Sequence, residues 1–492
     1  MEFEVQRIDM ETHAPVVVLN REDAEELGVN PLDRVQISDG GEDVVGIVDI
    51  TDEIVEEDVA GVTDRLSYLS GSVEITLASK PDSVRHIRKK LDDKELEEDE
   101  IQEIVEDVNE NRLNDVELGA YVTGTYTNGM SLEETRYLTR SMTDIGETIE
   151  WSDGLIADKH SIGGVAGNRV TPVVVPIVAA AGIKIPKTSS RAITSPAGTA
   201  DTMEVFCDVD FSIQEIKDMV QKTGGCMVWG GSVNLSPVDD KIIRAEHPLS
   251  LDPEGQVIAS VLSKKKSAGS THTVIDIPYG EGSKVDNLSN ARDLAEKFKK
   301  VGDHMDITVE CTITTGGEPI GRGIGPVLEA RDVLKVLNGD GPDDLKLKSL
   351  KLAEILLDMA GKGEDPHEIL ESGKALEKFR EIVEAQNGDP DVEIDDLQPG
   401  EHSFEVSSEN TGVVTHISND LVSEVARRAG APKDKEAGIY LHKKVGDPVS
   451  RGEELFTVYS ENRSKLDEAV EVAEEVEAVR VRSREESLVE QV

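Results

Sequence analysis

The twenty residues Lys187–Phe206, KTSSRAITSPAGTADTMEVF, restrict this chain more than any other stretch. They hold one lysine, one arginine, three serines, four threonines and a glycine, with few bulky side chains. Such a segment reads as a loop feeding a helix. Small hydroxyl residues and exposed backbone N–H groups there suit tetrahedral oxyanions. Asp201 and Glu204 fit an N-cap and its third helical position, so a helix is expected to start near them. An ordinary Ser/Thr-rich turn is the alternative. Upstream, Lys159-His160-Ser161-Ile162-Gly163-Gly164 places a cation, an imidazole, a hydroxyl and a glycine pair within six residues. Two Gly- and hydroxyl-rich loops on one domain suit a phosphate held by both. The apolar run Val170–Pro186 separates them. It is interrupted by Pro172, Pro176 and Lys184 and is too short to span a bilayer, so it reads as a core helix.

The remainder of the chain divides by periodicity. At 492 residues there is room for about three domains of ordinary size. Residues 1–83 alternate in short runs (Val16–Leu19, Val35–Ile37, Val44–Ile50, Val73–Leu77) separated by turn residues, a small β-rich domain. From Ser83 to Trp151 the spacing turns helical, as in Ile101, Ile104, Val105 and Val108, and Ser131–Glu134 is a capping box. Residues 155–235 and 270–340 read as α/β, with apolar strands at Thr273–Ile277 and Ile307–Thr312; residues 236–268 read as helical. Asn387–Glu401 is acidic and carries two prolines, as a linker would. Thr411–Val458 alternates strands and turns, and Arg463–Val492 reads as a charged helix with an apolar stripe.

Charge narrows the function. Lys plus Arg number 52 against 100 Asp plus Glu, a net charge of −48. In dilute buffer such a surface repels itself, whereas at molar salt the Debye length of roughly 3 Å screens it. A halophilic, cytoplasmic protein is therefore expected. With no basic stripe to replace phosphate counterions, nucleic acid is excluded as a partner. Cys207, Cys226 and Cys311 lack CxxC spacing and read as free thiols in a reducing cytosol. MEFEVQRIDM is unlike a signal peptide. No membrane partner, metal or organic cofactor is expected, because the carboxylates and scattered histidines show no ligand spacing.

KHSIGG followed by SSRAITSPAGTADTMEVF resembles the paired signatures of the thymidine/pyrimidine nucleoside phosphorylase family. The likeness continues through Ile87–Trp151, Pro319–Gly339 and Gly412–Thr457. It implies that Lys159, Ser161, Thr171, Ser189 and Thr199 hold inorganic phosphate, although one extra residue separates Gly164 from Thr171. His160 would lie beneath the sugar or base, or serve as a hydrogen-bonded filler. At the base end this chain departs from the pyrimidine pattern. Ser260 and Lys264 are kept, but the expected arginine is replaced by Ala245, with Arg244 beside it, and His247–Asp252 brings a carboxylate instead. A carboxyl partly buried in a pocket can keep its proton and protonate a leaving purine.

These departures, the extra N-terminal domain and the tract Asp276–Lys284 resemble the archaeal AMP phosphorylase branch. That resemblance implies Asp252 as proton donor, with Gly164, Ser190, Arg191, Ala192, Ile193, Thr194, Ser195, Thr199, Ser260 and Lys284 contacting the nucleotide. It implies phosphorolysis of AMP, with CMP and UMP left open, to free base and ribose 1,5-bisphosphate. Lys159, Lys187, Arg191 and Lys284 are the available cations, Arg191 being the better bidentate clamp. The expected fold is multidomain α/β. It comprises an N-terminal β domain (1–83), a helical domain (84–154 plus 236–268) and a central α/β domain with a mixed sheet (155–235 plus 269–386). A linker (387–401) and a C-terminal α+β domain (402–492) follow. The expected assembly is a homo-oligomer whose partners are small-molecule substrates. The alternatives are a pyrimidine or purine nucleoside phosphorylase giving ribose 1-phosphate, an anthranilate phosphoribosyltransferase-like enzyme, and a non-catalytic scaffold.

Overall fold

The computed structural model describes residues 1–482 apart from 13, 42, 153, 193 and 194. The chain divides into two compact units, residues 1–146 with 236–263 and residues 147–235 with 264–492.

In the first unit six strands close a barrel: Glu2–Arg7, Val16–Asn20, Arg34–Ser38, Val44–Thr51, Val59–Val62 and Ser72–Leu77. The first strand pairs in parallel with the fifth and antiparallel with the sixth. Closure removes the open edges that short amphipathic strands would otherwise expose. Alternate residues, among them Phe3, Val17, Leu19, Val35, Ile37 and Val48, fill its interior. A helix, Arg21–Leu27, interrupts the strands expected of this region; Asn20 caps its start and Gly28, at φ 71°, ends it. Next come the helices Ser83–Leu91, Glu98–Asn109, Asp115–Asn128 and Leu132–Ile145, joined by Pro237–Glu246 and the first part of Glu254–Ser267. The capping box read at Ser131 is formed: Ser131 Oγ accepts from Glu134 N at 3.2 Å and Glu134 Oε2 accepts from Ser131 N at 2.8 Å. Glu134 is buried and also takes Lys90 Nζ at 2.8 Å and Leu96 N at 2.9 Å.

The second unit is built from strand–helix–strand repeats. Strands Ala157–Ser161, His272–Tyr279 and Thr308–Thr315 form one sheet, and Ile185–Ser189 pairs with Gly225–Trp229. Every pairing among these five strands is parallel, whereas a mixed sheet was expected here. The reason lies in the connections: helices such as Thr171–Ala180 and Leu288–His304 carry the chain back to the same edge, which forces parallel entry. Val170–Pro186 is a buried helix only as far as Ala180, and Ile185 already begins the next strand. The C-terminal part pairs Gly438–Leu441 with Glu454–Ser460 and with the short strand Gly323–Ile324. Arg463–Glu475 is helical as expected, but the chain then turns into the strand Val479–Arg482, which joins Gly412–Ile417. The last part of the expected tail helix, from 483, lies outside the described residues. Cys207 and Cys226 are buried free thiols and Cys311 is half-buried. Among the described residues no helix is long and apolar enough to cross a membrane.

Candidate active site

The expected anion residues lie where parallel strands end and helices begin, the ordinary ligand position in an open α/β sheet. Lys159 sits on Ala157–Ser161, only 2% exposed, and its Nζ donates to Thr171 Oγ1 at 3.2 Å. Thr171 opens the helix Thr171–Ala180, whose first turn carries Pro172. Two residues beyond Lys159, Ser161 Oγ donates to Asp276 Oδ2 at 2.6 Å. Ser189 ends the neighbouring strand, its hydroxyl buried without a hydrogen-bond partner among the described residues. Thr199 is the first residue of the helix Thr199–Met203.

That helix starts earlier than the sequence suggested. Gly198 is its cap and Asp201 its third position, so Asp201 is not the cap and Glu204 lies just past the end. Asp201 Oδ2 accepts Gly198 N and Ala192 N, both at 2.7 Å, and so folds the Ser190–Gly198 loop onto the helix it precedes. A Cβ on Gly198 would stand 2.5 Å from Ser190 O and 2.7 Å from Ala192 N, so the loop closes only around glycine. Within it Ser195 Oγ donates to Ala197 O at 3.0 Å. Ser190 is exposed and Ala192 half-buried, while Ile193 and Thr194 lie outside the described residues. Arg191 is engaged on three sides. It pairs with Glu204 at 2.5 Å and Asp210 at 3.2 Å and stacks over the Trp229 ring at 4.7 Å. Two carboxylates and an aromatic ring thus fix where the guanidinium sits.

The glycine pair Gly163-Gly164 meets Lys284. Gly164 has φ 99°, and a Cβ there would stand 2.7 Å from Lys284 N. The turn that presents Lys284 is tied down by Ser283 Oγ, which donates to Gly280 O and Val285 O, each at 2.8 Å. Lys284 itself is exposed. His160 is partly buried. Desolvation and the fields of Lys265, Lys187, Lys159 and Lys264 drive its pKa far below the ordinary histidine value, so its ring is neutral at physiological pH.

The residues expected at the base fall in the first unit. Ser260 lies on Glu254–Ser267 and its Oγ donates to the buried Asp239 Oδ2 at 2.8 Å. Asp252 stands just ahead of that helix and is exposed, which corrects the expectation of a partly buried carboxyl. It follows a turn in which Ser250 adopts φ 51° and Leu249 is left largely open to solvent.

Comparison with known proteins places this geometry. The glycosyl transferase family helical bundle domain matches residues 84–146 and that family's a/b domain residues 153–250. The pyrimidine nucleoside phosphorylase C-terminal domain matches 413–479. The chain is 56% identical to an AMP phosphorylase of Natronomonas pharaonis over all of both chains. It is 48% identical to AMP phosphorylase 1 of Archaeoglobus fulgidus, covering 96% of each, and 44% identical to an AMP phosphorylase of Thermococcus kodakarensis, covering 98% of each. The chain belongs to the AMP phosphorylase family. Its fold also resembles a crystal structure of anthranilate phosphoribosyltransferase from Thermus thermophilus. That likeness has a TM-score of 0.51 at 16% identity, covers 62% of this chain and 100% of that one, and concerns the fold alone.

For this AMP phosphorylase family member, sequence reasoning missed the charges beneath the loops. Asp158, Arg169, Lys265, Glu329 and Lys348 were not singled out, and Asp276 only as part of a tract. For Asp276 the signal was a charged residue inside an apolar strand, Val274-Ile275-Asp276-Ile277, since charges are buried when they are paired; the helical Lys265, Glu329 and Lys348 carried no such mark.

Proposed function

We propose that this chain catalyses the phosphorolysis of AMP by inorganic phosphate, releasing adenine and ribose 1,5-bisphosphate in nucleotide degradation. The observation that carries this reading is the identity of more than half of all residues, end to end, with an enzyme named AMP phosphorylase. A phosphate oxygen attacks C1′, and the glycosidic bond breaks with its electron pair leaving on the base. A proton delivered to a purine ring nitrogen makes adenine a neutral leaving group. We assign the phosphate to Lys159, Ser161, Thr171, Ser189 and Thr199. The nucleotide goes to Gly164, the Ser190–Ser195 loop, Thr199, Ser260 and Lys284, and the proton to Asp252. No protein nucleophile is needed. Orientation of two reactants contributes roughly 7–11 kcal/mol, and fixed dipoles stabilise the developing charge. The proposed setting is the cytoplasm of a halophilic archaeon, with the enzyme a homo-oligomer.

The test is base release with phosphate in molar KCl from AMP, CMP, UMP, adenosine and uridine offered separately. Release from the nucleotides, AMP foremost, is expected. Release from nucleosides alone would transfer the chain to the ribose 1-phosphate-forming enzymes.

A further inference from the structure

The parallel strands Ala157–Ser161, His272–Tyr279 and Thr308–Thr315 lie side by side, and a loop leaves the carboxyl end of each. Those loops carry the Gly163-Gly164 pair, the turn that presents Lys284, and the Gly316-Gly317 turn. One side chain from the C-terminal part touches all three. Asn419 is only 1% exposed. Its Oδ1 accepts from Ala166 N at 3.0 Å and its Nδ2 donates to Gly316 O at 2.9 Å. A Cβ on Gly282 would stand 3.4 Å from Asn419 Cβ, ordinary van der Waals contact, so the Lys284 turn lies directly against it. The loops also hold one another: Ile320 N donates to Ala166 O at 3.0 Å and Gly316 N to Tyr279 O at 2.8 Å.

The helix Asn419–Arg428 does not need this amide for itself. Ser418 is its cap, and Ser418 Oγ accepts from Leu421 N at 3.3 Å. Its apolar face, Val422, Val425 and Ala426, is buried in the C-terminal core, and Ala166 packs into the same core. An asparagine at a helix start commonly spends its side chain on the local backbone. Here both ends of the amide go to backbone 103 and 253 positions away. Buried main-chain N–H and C=O groups are costly to leave unpaired, so one side chain fixes two loops at once. We infer that Asn419 is a positioning residue of the nucleotide site: through it the C-terminal part sets the spacing between the Gly163-Gly164 loop and the Lys284 turn. This rests on the functional reading above, which assigns Gly164 and Lys284 to AMP, and extends it to a part of the chain that reading leaves without a role. The phosphate residues are held by other means. Ser161 Oγ is tied to Asp276 at 2.6 Å, Thr171 belongs to the helix it opens, and Ser189 and Thr199 lie on separate elements. Loss of the amide therefore loosens the grip on AMP far more than the grip on phosphate.

The test compares full-length wild type, Asn419→Ala and Asn419→Asp in molar KCl, by adenine release and by hydrogen exchange. Asn419→Ala should raise KM for AMP by about tenfold, the worth of two modest hydrogen bonds, with KM for phosphate held within about twofold. Asn419→Asp has the same shape, keeps the acceptor for Ala166 N and loses the donor to Gly316 O, so its KM for AMP should fall between the two. Exchange should quicken in residues 162–170 and 280–285 and stay slow in the helix Asn419–Arg428. A residue that only packs the C-terminal part would leave both KM values alone, shrink the active fraction and quicken exchange throughout 413–479. That result, or equal rises in both KM values, would overturn the inference and leave the functional reading standing. On wild-type protein alone the Ala166 amide should exchange within about tenfold of the amides in the middle of the helix Asn419–Arg428; exchange at the rate of an open loop would overturn the inference even if neither variant folds. Wild-type protein that releases no adenine would remove the functional reading, while the exchange comparison would still decide whether Asn419 holds the loops.

Discussion

Asp252 illustrates how much chemistry is assigned to single side chains here. It stands exposed at the head of a long helix, behind a turn whose Ser250 adopts a left-handed conformation that nonglycine residues seldom take. Its proposed work is proton delivery, which an amide of the same shape cannot perform. Asp252→Asn should therefore lower kcat for AMP by about 10²–10⁴ with KM for AMP nearly unchanged, measured by adenine release. An unaltered kcat would dismiss Asp252 from that role. Arg191 shows the opposite case. Its type and place suggest a ligand for the nucleotide, and unlike Asp252 it is held in position by Glu204, Asp210 and Trp229. Gly198 and Gly164 contribute by what they lack, since a methyl group at either would collide with backbone.

At the scale of elements, helix ends were the most legible feature. The Ser131–Glu134 box was readable because a cap needs only residues three apart, and it forms as read. What the local pattern could not convey is that Glu134 also receives Lys90 and Leu96 N from other parts of the bundle. Removing one partner of a buried ion pair strands the other charge, so Glu134→Ala should destabilise the protein by about 3–5 kcal/mol. Thermal or denaturant unfolding checks this, and a loss below about 1 kcal/mol would mean that the pair behaves like an exposed one. The strand ending at Ser189 was hidden for a related reason. Val170–Pro186 is apolar apart from Thr171 and Lys184, and a nearly continuous apolar run has no period by which helix and strand can be told apart. The start of Thr199–Met203 was misplaced because Gly198, with no side chain to signal a cap, holds that position while Asp201 reaches back to it.

Over the whole molecule charge dominates. A net charge of −48 on 492 residues makes the folded state repel itself wherever ions do not screen it. The melting temperature should rise on the order of 10 °C or more between dilute buffer and molar KCl, followed by circular dichroism; an equal melting point in both would remove salt adaptation from the account. Against that acidic exterior the second unit gathers Lys159, Lys187, Lys265 and Lys348 in its interior. The sequence alone determined the acidic balance, the hydroxyl-rich loops, the helical spacing and the family likeness, because composition, turn chemistry and periodicity are written in neighbouring residues. Tertiary structure alone decided that the barrel closes, that the central strands run parallel, and that Asp276 meets Ser161 across 115 positions of chain. Pairing of buried charges depends on which strands the helical crossovers bring side by side, and no local pattern encodes that choice.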